Sequence, residues 1–250
     1  MQNPLSYQIP KIFTNFQNLI AAQSTRLGGV SKEPYSSLNL GKSTADNPEH
    51  VLRNRELFFG GLGISSDRIV LSHQVHEDKV LVADRPGNFE GYDAIITNTK
   101  NLFPAVSVAD CTPVLIYDSG KKAVASVHAG WRGTVKEIVM KTLQTMESHF
   151  GTTASDCFAF IGTCIDECSF EVGQEVADEF PEIFKRFDKN KQKYFVDLKA
   201  ANKAQLMAFG IPESNIEISD LSTILHNDRF FSHRLEKGIT GRMMAVIGLK

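Results

Sequence analysis

Apolar residues recur along this chain in two rhythms: short β-branched runs through its middle and longer helical stripes on either side. Asp46-Asn47-Pro48-Glu49 leads into Val51, Leu52, Arg55, Phe58 and Phe59, a spacing that predicts a capped amphipathic helix stopped at Gly60-Gly61. Residues 69–72 then read as a short buried strand that delivers His76 just beyond its end. Residues 93–97, 105–108, 114–117 and 123–127 are apolar runs with turn residues between them, which predicts a strand-rich middle. Ser119-Gly120-Lys121-Lys122 joins the last two as a hairpin. Cys111, close to Pro113, therefore falls in the link between two strands, and His128 ends the next one.

After His128 the period changes to that of a helix. Thr134 and Glu137 have capping-box spacing, Val135, Ile138, Val139, Thr142, Leu143 and Met146 form the stripe, and Gly151 ends it. That places Gly130-Trp131-Arg132-Gly133 at a helix start, where free amides favour an anion and Arg132 adds a two-pronged grip. Residues 174–187 and 198–210 read as further helices, and 216–219 and 244–247 as strands. Strands in the centre with helices on both sides predict a layered mixed α/β, or α+β, fold. The element order is too irregular for a doubly wound parallel sheet, and no G-x-G-x-x-G turn follows a strand.

Composition narrows the function classes. A chain of 250 residues with 42% hydrophobic content can bury a large core, and a single domain spanning residues 1–250 is expected. The formal charge of -2 lends no support to a nucleic-acid partner and suits a small uncharged or phosphorylated substrate better. Residues 1–20 have neither a basic segment followed by an apolar run nor a membrane span, so the expectation is a cytoplasmic protein without a membrane partner. Four cysteines make no dense disulfide framework, and Cys164 and Cys168, bracketing three residues, are at most half a zinc site.

The candidate chemistry lies in His76, Cys111 and His128. Singly, each has an ordinary reading, the histidines as hydrogen-bonded structural groups and the cysteine as a small buried apolar residue. Together, two imidazoles and one thiolate suit zinc and leave an open fourth position. The same trio also suits a cysteine nucleophile with a histidine base, and spacing leaves both readings open. His73 is expected to support the metal ligands from behind rather than to join them.

Longer motifs carry a resemblance. Arg26-Leu27-Gly28-Gly29-Val30-Ser31, Pro34-Tyr35-Ser36-Ser37-Leu38-Asn39-Leu40-Gly41, Gln74-Val75-His76, Ala109-Asp110-Cys111-Thr112-Pro113 and His128-Ala129-Gly130-Trp131-Arg132-Gly133 resemble the signatures of the laccase-like polyphenol oxidase family, which is also the family of purine nucleoside phosphorylases. Phe170-Glu171-Val172-Gly173, Phe230-Phe231-Ser232-His233-Arg234 and Gly241-Arg242 resemble its later motifs, so the likeness spans nearly the whole chain.

The resemblance implies a zinc enzyme that cleaves adenosine, inosine, guanosine and methylthioadenosine with phosphate and also deaminates adenosine. It places the metal and catalytic ligands on His76, Cys111 and His128, with copper as an alternative ion. Arg26, Asn39, Asp110, Arg132 and Glu171 become candidate substrate residues: the arginines toward phosphate, Asp110 or Glu171 as proton carrier. It further implies a layered fold related to cysteine-dependent toxin deamidases, and a monomer or homodimer. That kinship sustains a metal-free Cys-His hydrolase as the alternative, alongside copper-dependent phenol oxidation and a metal-stabilised binding protein without turnover. Glu77, Gly162-Thr163, Ser222-Thr223 and His233 depart from the family pattern, which bears on the pocket edge rather than on the ligands.

Overall fold

The computed structural model describes residues 5–250. Two six-stranded mixed sheets stack on a common core. The first runs in the order Tyr7–Gln8, Leu19–Ser24, Met243–Leu249, Phe103–Val108, Ile69–His73, Gly87–Glu90. The second runs Ile216–Ile218, Cys157–Ile161, Thr112–Asp118, Ala123–Ala129, Ala94–Thr97, Val80–Val82. A small antiparallel sheet of Glu171–Val172, Lys193–Val196 and Lys185–Asp188 stands apart from both.

Alternation along each strand builds the layers. Val106, Val108, Ala245 and Ile247 of the first sheet meet Leu115, Tyr117, Val124 and Phe160 of the second, forming the core between them. The intervening residues face outward but find cover. Ala105, Met244 and Val246 pack on Phe58 and Phe59 of the helix Pro48–Gly61. Val114, Ile116, Ala125 and Val127 pack on Ile138, Val139 and Leu143 of the helix Ile138–Phe150 and on Leu206 of Leu198–Phe209. Strands buried on both faces need apolar residues at every position, which is why they read as unbroken runs in the sequence. The mixed α/β class is thus the one expected from the pattern.

The expected strands of the middle all form, some extended by a residue or two. Two further interior strands, Leu19–Ser24 and Cys157–Ile161, not expected from the apolar pattern, complete the sheets. Two helical expectations are corrected. No capping box forms at Thr134 and Glu137: a short helix Trp131–Val135 already begins after Gly130, Thr134 Oγ1 accepts from Asn202 at 3.1 Å, and Glu137 breaks the run with φ 60 before Ile138–Phe150 starts. In residues 174–187 only Gln174–Ala177 is α-helical, because Pro181 disfavours continuation and Lys185–Asp188 pairs as a strand with Lys193–Val196. No helix among the described residues is long and apolar enough to cross a membrane.

Candidate metal centre

One buried carboxylate organises two of the three candidate ligands. Asp93, wholly buried at the head of Ala94–Thr97, accepts the backbone N–H groups of Val75 at 3.1 Å, His76 at 3.0 Å and Glu77 at 2.9 Å. These bonds fold the loop after Ile69–His73 into the turn that carries His76 at φ 60. The same carboxylate takes Nδ1 of His128 at 2.8 Å, and the Asp93 carbonyl accepts the His128 amide at 2.7 Å. With Nδ1 committed to Asp93, the His128 ring has Nε2 left to face the other two ligands, and it can bind an ion once that nitrogen gives up its proton. Burial alone would raise the Asp93 carboxyl, but the His128 ring and the loop amides outweigh it and hold the group below the usual carboxylate range.

Cys111 arrives from the other direction, in the link that carries the chain from Phe103–Val108 of one sheet to Thr112–Asp118 of the other. Asp110, at φ 80, pins that link: its carboxylate accepts from Thr223 Oγ1 at 2.5 Å and from the Arg234 amide at 2.7 Å. The register Thr112↔Ala129 and Pro113↔His128 then sets Cys111 beside His128. One ligand atom from each of His76, Cys111 and His128 lies within 4.8 Å of the others, and the two rings stand nearly perpendicular.

The surroundings fit a metal ion. A Cβ at Gly130 would stand 3.3 Å from Cys111 Sγ and 3.4 Å from His76, so a side chain there would intrude on the space the trio encloses. Nitrogen and sulfur donors need only close to about 2.0–2.3 Å around one tetrahedral ion. Without an ion, burial pushes the Cys111 thiol up, but the neighbouring His128 prevails and brings it down to about 6. Burial likewise lowers His128, yet Cys111 and Asp93 raise it to about 9. The pair is therefore a thiolate and an imidazolium, ready to exchange one proton for a cation.

The profile of the multi-copper polyphenol oxidoreductase laccase family matches residues 20–250. The chain belongs to this family. Relatives within it include a Bacteroides thetaiotaomicron protein named purine nucleoside phosphorylase, 36% identical over 97% of this chain and 95% of that one. Another is the Bacillus subtilis purine nucleoside phosphorylase YlmD, 35% identical over 94% and 90%. Among solved structures, the Bacillus licheniformis hypothetical protein YfiH superposes with a TM-score of 0.93 at 32% identity, covering 98% of this chain and 97% of that one. YlmD from Geobacillus stearothermophilus gives 0.91 at 30%, covering 99% and 100%.

In this laccase-like chain the trio lies in the wall of a cavity of about 640 Å³. Four cations, Lys42, Arg55, Arg234 and Arg242, line it with Phe89, Phe170 and His233. Of the candidate substrate residues, Asp110 is in the wall. Arg26 is not: its guanidinium donates to the Ser36 and Asn227 carbonyls and pairs with Glu236 at 3.1 Å, tying loops together behind the site. Asn39 accepts the Arg242 amide at 2.9 Å, so it positions a wall residue without lining the cavity. Glu171 likewise acts through its carbonyl, which accepts from Arg234 at 2.8 Å. Arg132 is exposed and stacks on Trp131, at the start of a helix of only five residues.

His73 reaches the wall but contacts no ligand, and the supporting role falls to Asp93. Glu77, the departure nearest the trio, pairs with Lys136. Cys164 is buried and Cys168 exposed beside Asp166; among the described residues they join no ligand cluster. Asp93, Lys42, Arg55 and Arg242 are site residues that the sequence pattern does not single out. Asp93 had a local signal, an acid opening an apolar strand, which burial makes costly unless it is paired. The three cations are brought to the cavity only by tertiary packing.

Proposed function

We propose that this chain is a purine nucleoside phosphorylase acting on adenosine, inosine, guanosine and methylthioadenosine, with adenosine deaminase activity, and that zinc is bound by His76, Cys111 and His128. The observation that carries the reading is this trio in the wall of a cation-lined cavity, in a chain whose relatives bear that name. Zinc held by three protein ligands supplies a positive, Lewis-acidic centre with an open position.

The chain's own groups supply the rest. Phe89, Phe170 and His233 offer flat faces against which a purine stacks. Arg242 is anchored through the Thr240 and Gly241 carbonyls at 2.9 and 3.0 Å and stands close enough to Cys111 and Asp110 to feel both charges. It is the cation suited to hold phosphate near C1′ as the purine leaves, a matter of position and charge more than of covalent chemistry. Asp110 is held rigidly beside Cys111 and takes the proton-carrying role for deamination, which Glu171, outside the wall, is less well placed to fill.

The order Asp93, His128, Cys111 favours a second reading, because carboxylate, imidazole and thiolate in hydrogen-bonded sequence also activate a nucleophile. Copper-dependent phenol oxidation is less well supported: the trio is the one such cluster among the described residues and provides for a single ion, not several. Metal analysis combined with inosine and adenosine turnover in phosphate tests the proposal. The expected result is ribose 1-phosphate and free purine, lost on chelation, restored by zinc and absent in Cys111→Ala. Full activity of metal-stripped protein, abolished by iodoacetamide, would overturn zinc dependence in favour of the thiol.

A further inference from the structure

A second cavity of about 360 Å³ adjoins the first, and the two share Lys42, Arg55, Leu71 and Asn88 as a common wall. The metal trio lines only the first, so this shared wall lies on the side of the cavity that leads away from the trio. Arg55 projects from the helix Pro48–Gly61, and its Nε donates to the Leu40 carbonyl at 2.8 Å, which fixes the guanidinium plane. Burial lowers it to about 10, so it stays cationic at neutral pH; burial first, and then the nearby Arg55 charge, lower Lys42 as well.

Neither cation pairs with a carboxylate among the described residues. The acids that line the second cavity are engaged elsewhere, Glu56 with Arg53 at 2.9 Å and Asp67 with Arg68 at 3.7 Å. Glu90, an acid of the first cavity, does not line the second. Two like charges side by side with no counter-ion are unfavourable by themselves and favourable around an anion.

We propose that Lys42 and Arg55 form a subsite for a phosphoryl group carried by the ligand itself, so that this chain binds purine nucleoside 5′-monophosphates more tightly than the parent nucleosides. The proposal rests on reading the first cavity as a purine nucleoside site. In this placement C1′ faces Arg242 and the trio, and the 5′ carbon, attached at C4′ on the other side of the ring oxygen, is the substituent assigned to the shared wall. Inorganic phosphate, which must reach C1′, belongs instead beside Arg242, the cation that feels Cys111 and Asp110. The guanidinium gives a two-pronged contact to a phosphoryl group and the lysine a point charge. Beyond them, Phe59, Ile69, Leu71 and Pro86 leave an apolar space for a larger ester.

Calorimetric titration of the zinc-loaded protein with inosine and with inosine 5′-monophosphate tests this without any need for turnover. The expected result is at least about tenfold tighter binding of the nucleotide, with the ratio of the two Kd values falling toward one in Lys42→Ala. Lys42 is the primary variant because it lies on an exposed loop, whereas Arg55 also holds the Leu40 carbonyl. Equal Kd values in the wild type, or a ratio that Lys42→Ala leaves unchanged, would overturn the subsite. So would a Lys42→Ala variant whose loss appears instead in the KM for inorganic phosphate, since that places the co-substrate there. Phosphorolysis of inosine with no nucleotide preference removes the subsite alone; nucleotide preference without phosphorolysis removes the activity alone.

Discussion

Asp93 ties more of the site together than any ligand does, although it touches no substrate. Its side chain receives three loop amides and the His128 ring, so one carboxylate sets both the turn of His76 and the tautomer of His128. Asp93→Asn keeps the shape but replaces an acceptor oxygen with a donor. The expected outcome is zinc affinity weakened by roughly 10–100-fold, measured by chelator competition, since partners of ligating histidines have effects of that size. Affinity within about twofold of wild type would show that loop packing alone orients the rings.

The trio also predicts a pH response for metal-stripped protein. The thiol loses its proton as pH rises through about 6 rather than at its ordinary value of 9.0, so alkylation of Cys111 by iodoacetamide should rise across that lower range. A midpoint near that of a free thiol would refute the thiolate–imidazolium pair. Stability should respond differently. The raised His128 value contributes stability that is full below 6.5 and lost as pH rises to about 9, while the depressed Cys111 value contributes stability full above 9.0 and lost as pH falls to about 6. Between 6.5 and 9.0 native and unfolded pairs bind the same number of protons, so the two slopes cancel and the pair's contribution should leave urea midpoints independent of pH across that window.

At the scale of elements, the break between Trp131–Val135 and Ile138–Phe150 shows how local signals mislead. Thr134 and Glu137 have the spacing of a cap, but the helix starts earlier, directly after Gly130, where a Cβ would crowd Cys111 Sγ at 3.3 Å. The chain then turns through Glu137 in a left-handed conformation, which costs a side-chain-bearing residue about 1–2 kcal/mol. Glu137→Gly should therefore stabilise the protein by about 1 kcal/mol, or roughly 2–4 °C in Tm by calorimetry. A fall in Tm would mean that the Glu137 side chain makes a compensating interaction. Residues 174–187 make the same point, since an apolar stripe of helical period yields to Pro181 and to an available strand partner.

At the scale of the molecule, the ligands come from both sheets. His76 follows a strand of the first, His128 lies in a strand of the second, and Cys111 sits where the chain crosses from one to the other. The site therefore exists only when the sheets are packed, and a bound ion should stabilise the whole fold. Zinc at a free concentration of 100 times its Kd should add about 2.7 kcal/mol, seen as a rise in Tm that Cys111→Ala abolishes. An unchanged Tm in wild type would mean that the trio does not capture the metal in the native state.

Much of this was legible in the chain itself. Strands buried on both faces must be apolar throughout, so Ala123–Ala129 and Thr112–Asp118 announce themselves without any partner being known. His76, Cys111 and His128 stand out because each interrupts or ends such a run, and short motifs surround them. Only tertiary packing selects what surrounds the trio. Asp93 faces it, while Arg26 and Asn39, prominent in their motifs, act behind the wall. Lys42, Arg55 and Arg242 enter the cavity from a loop, a helix and the segment before the last strand. Spacing places Arg55 on a helix but does not say which cavity that helix meets, so sequence names the groups on strands but not the cations that folding gathers around them.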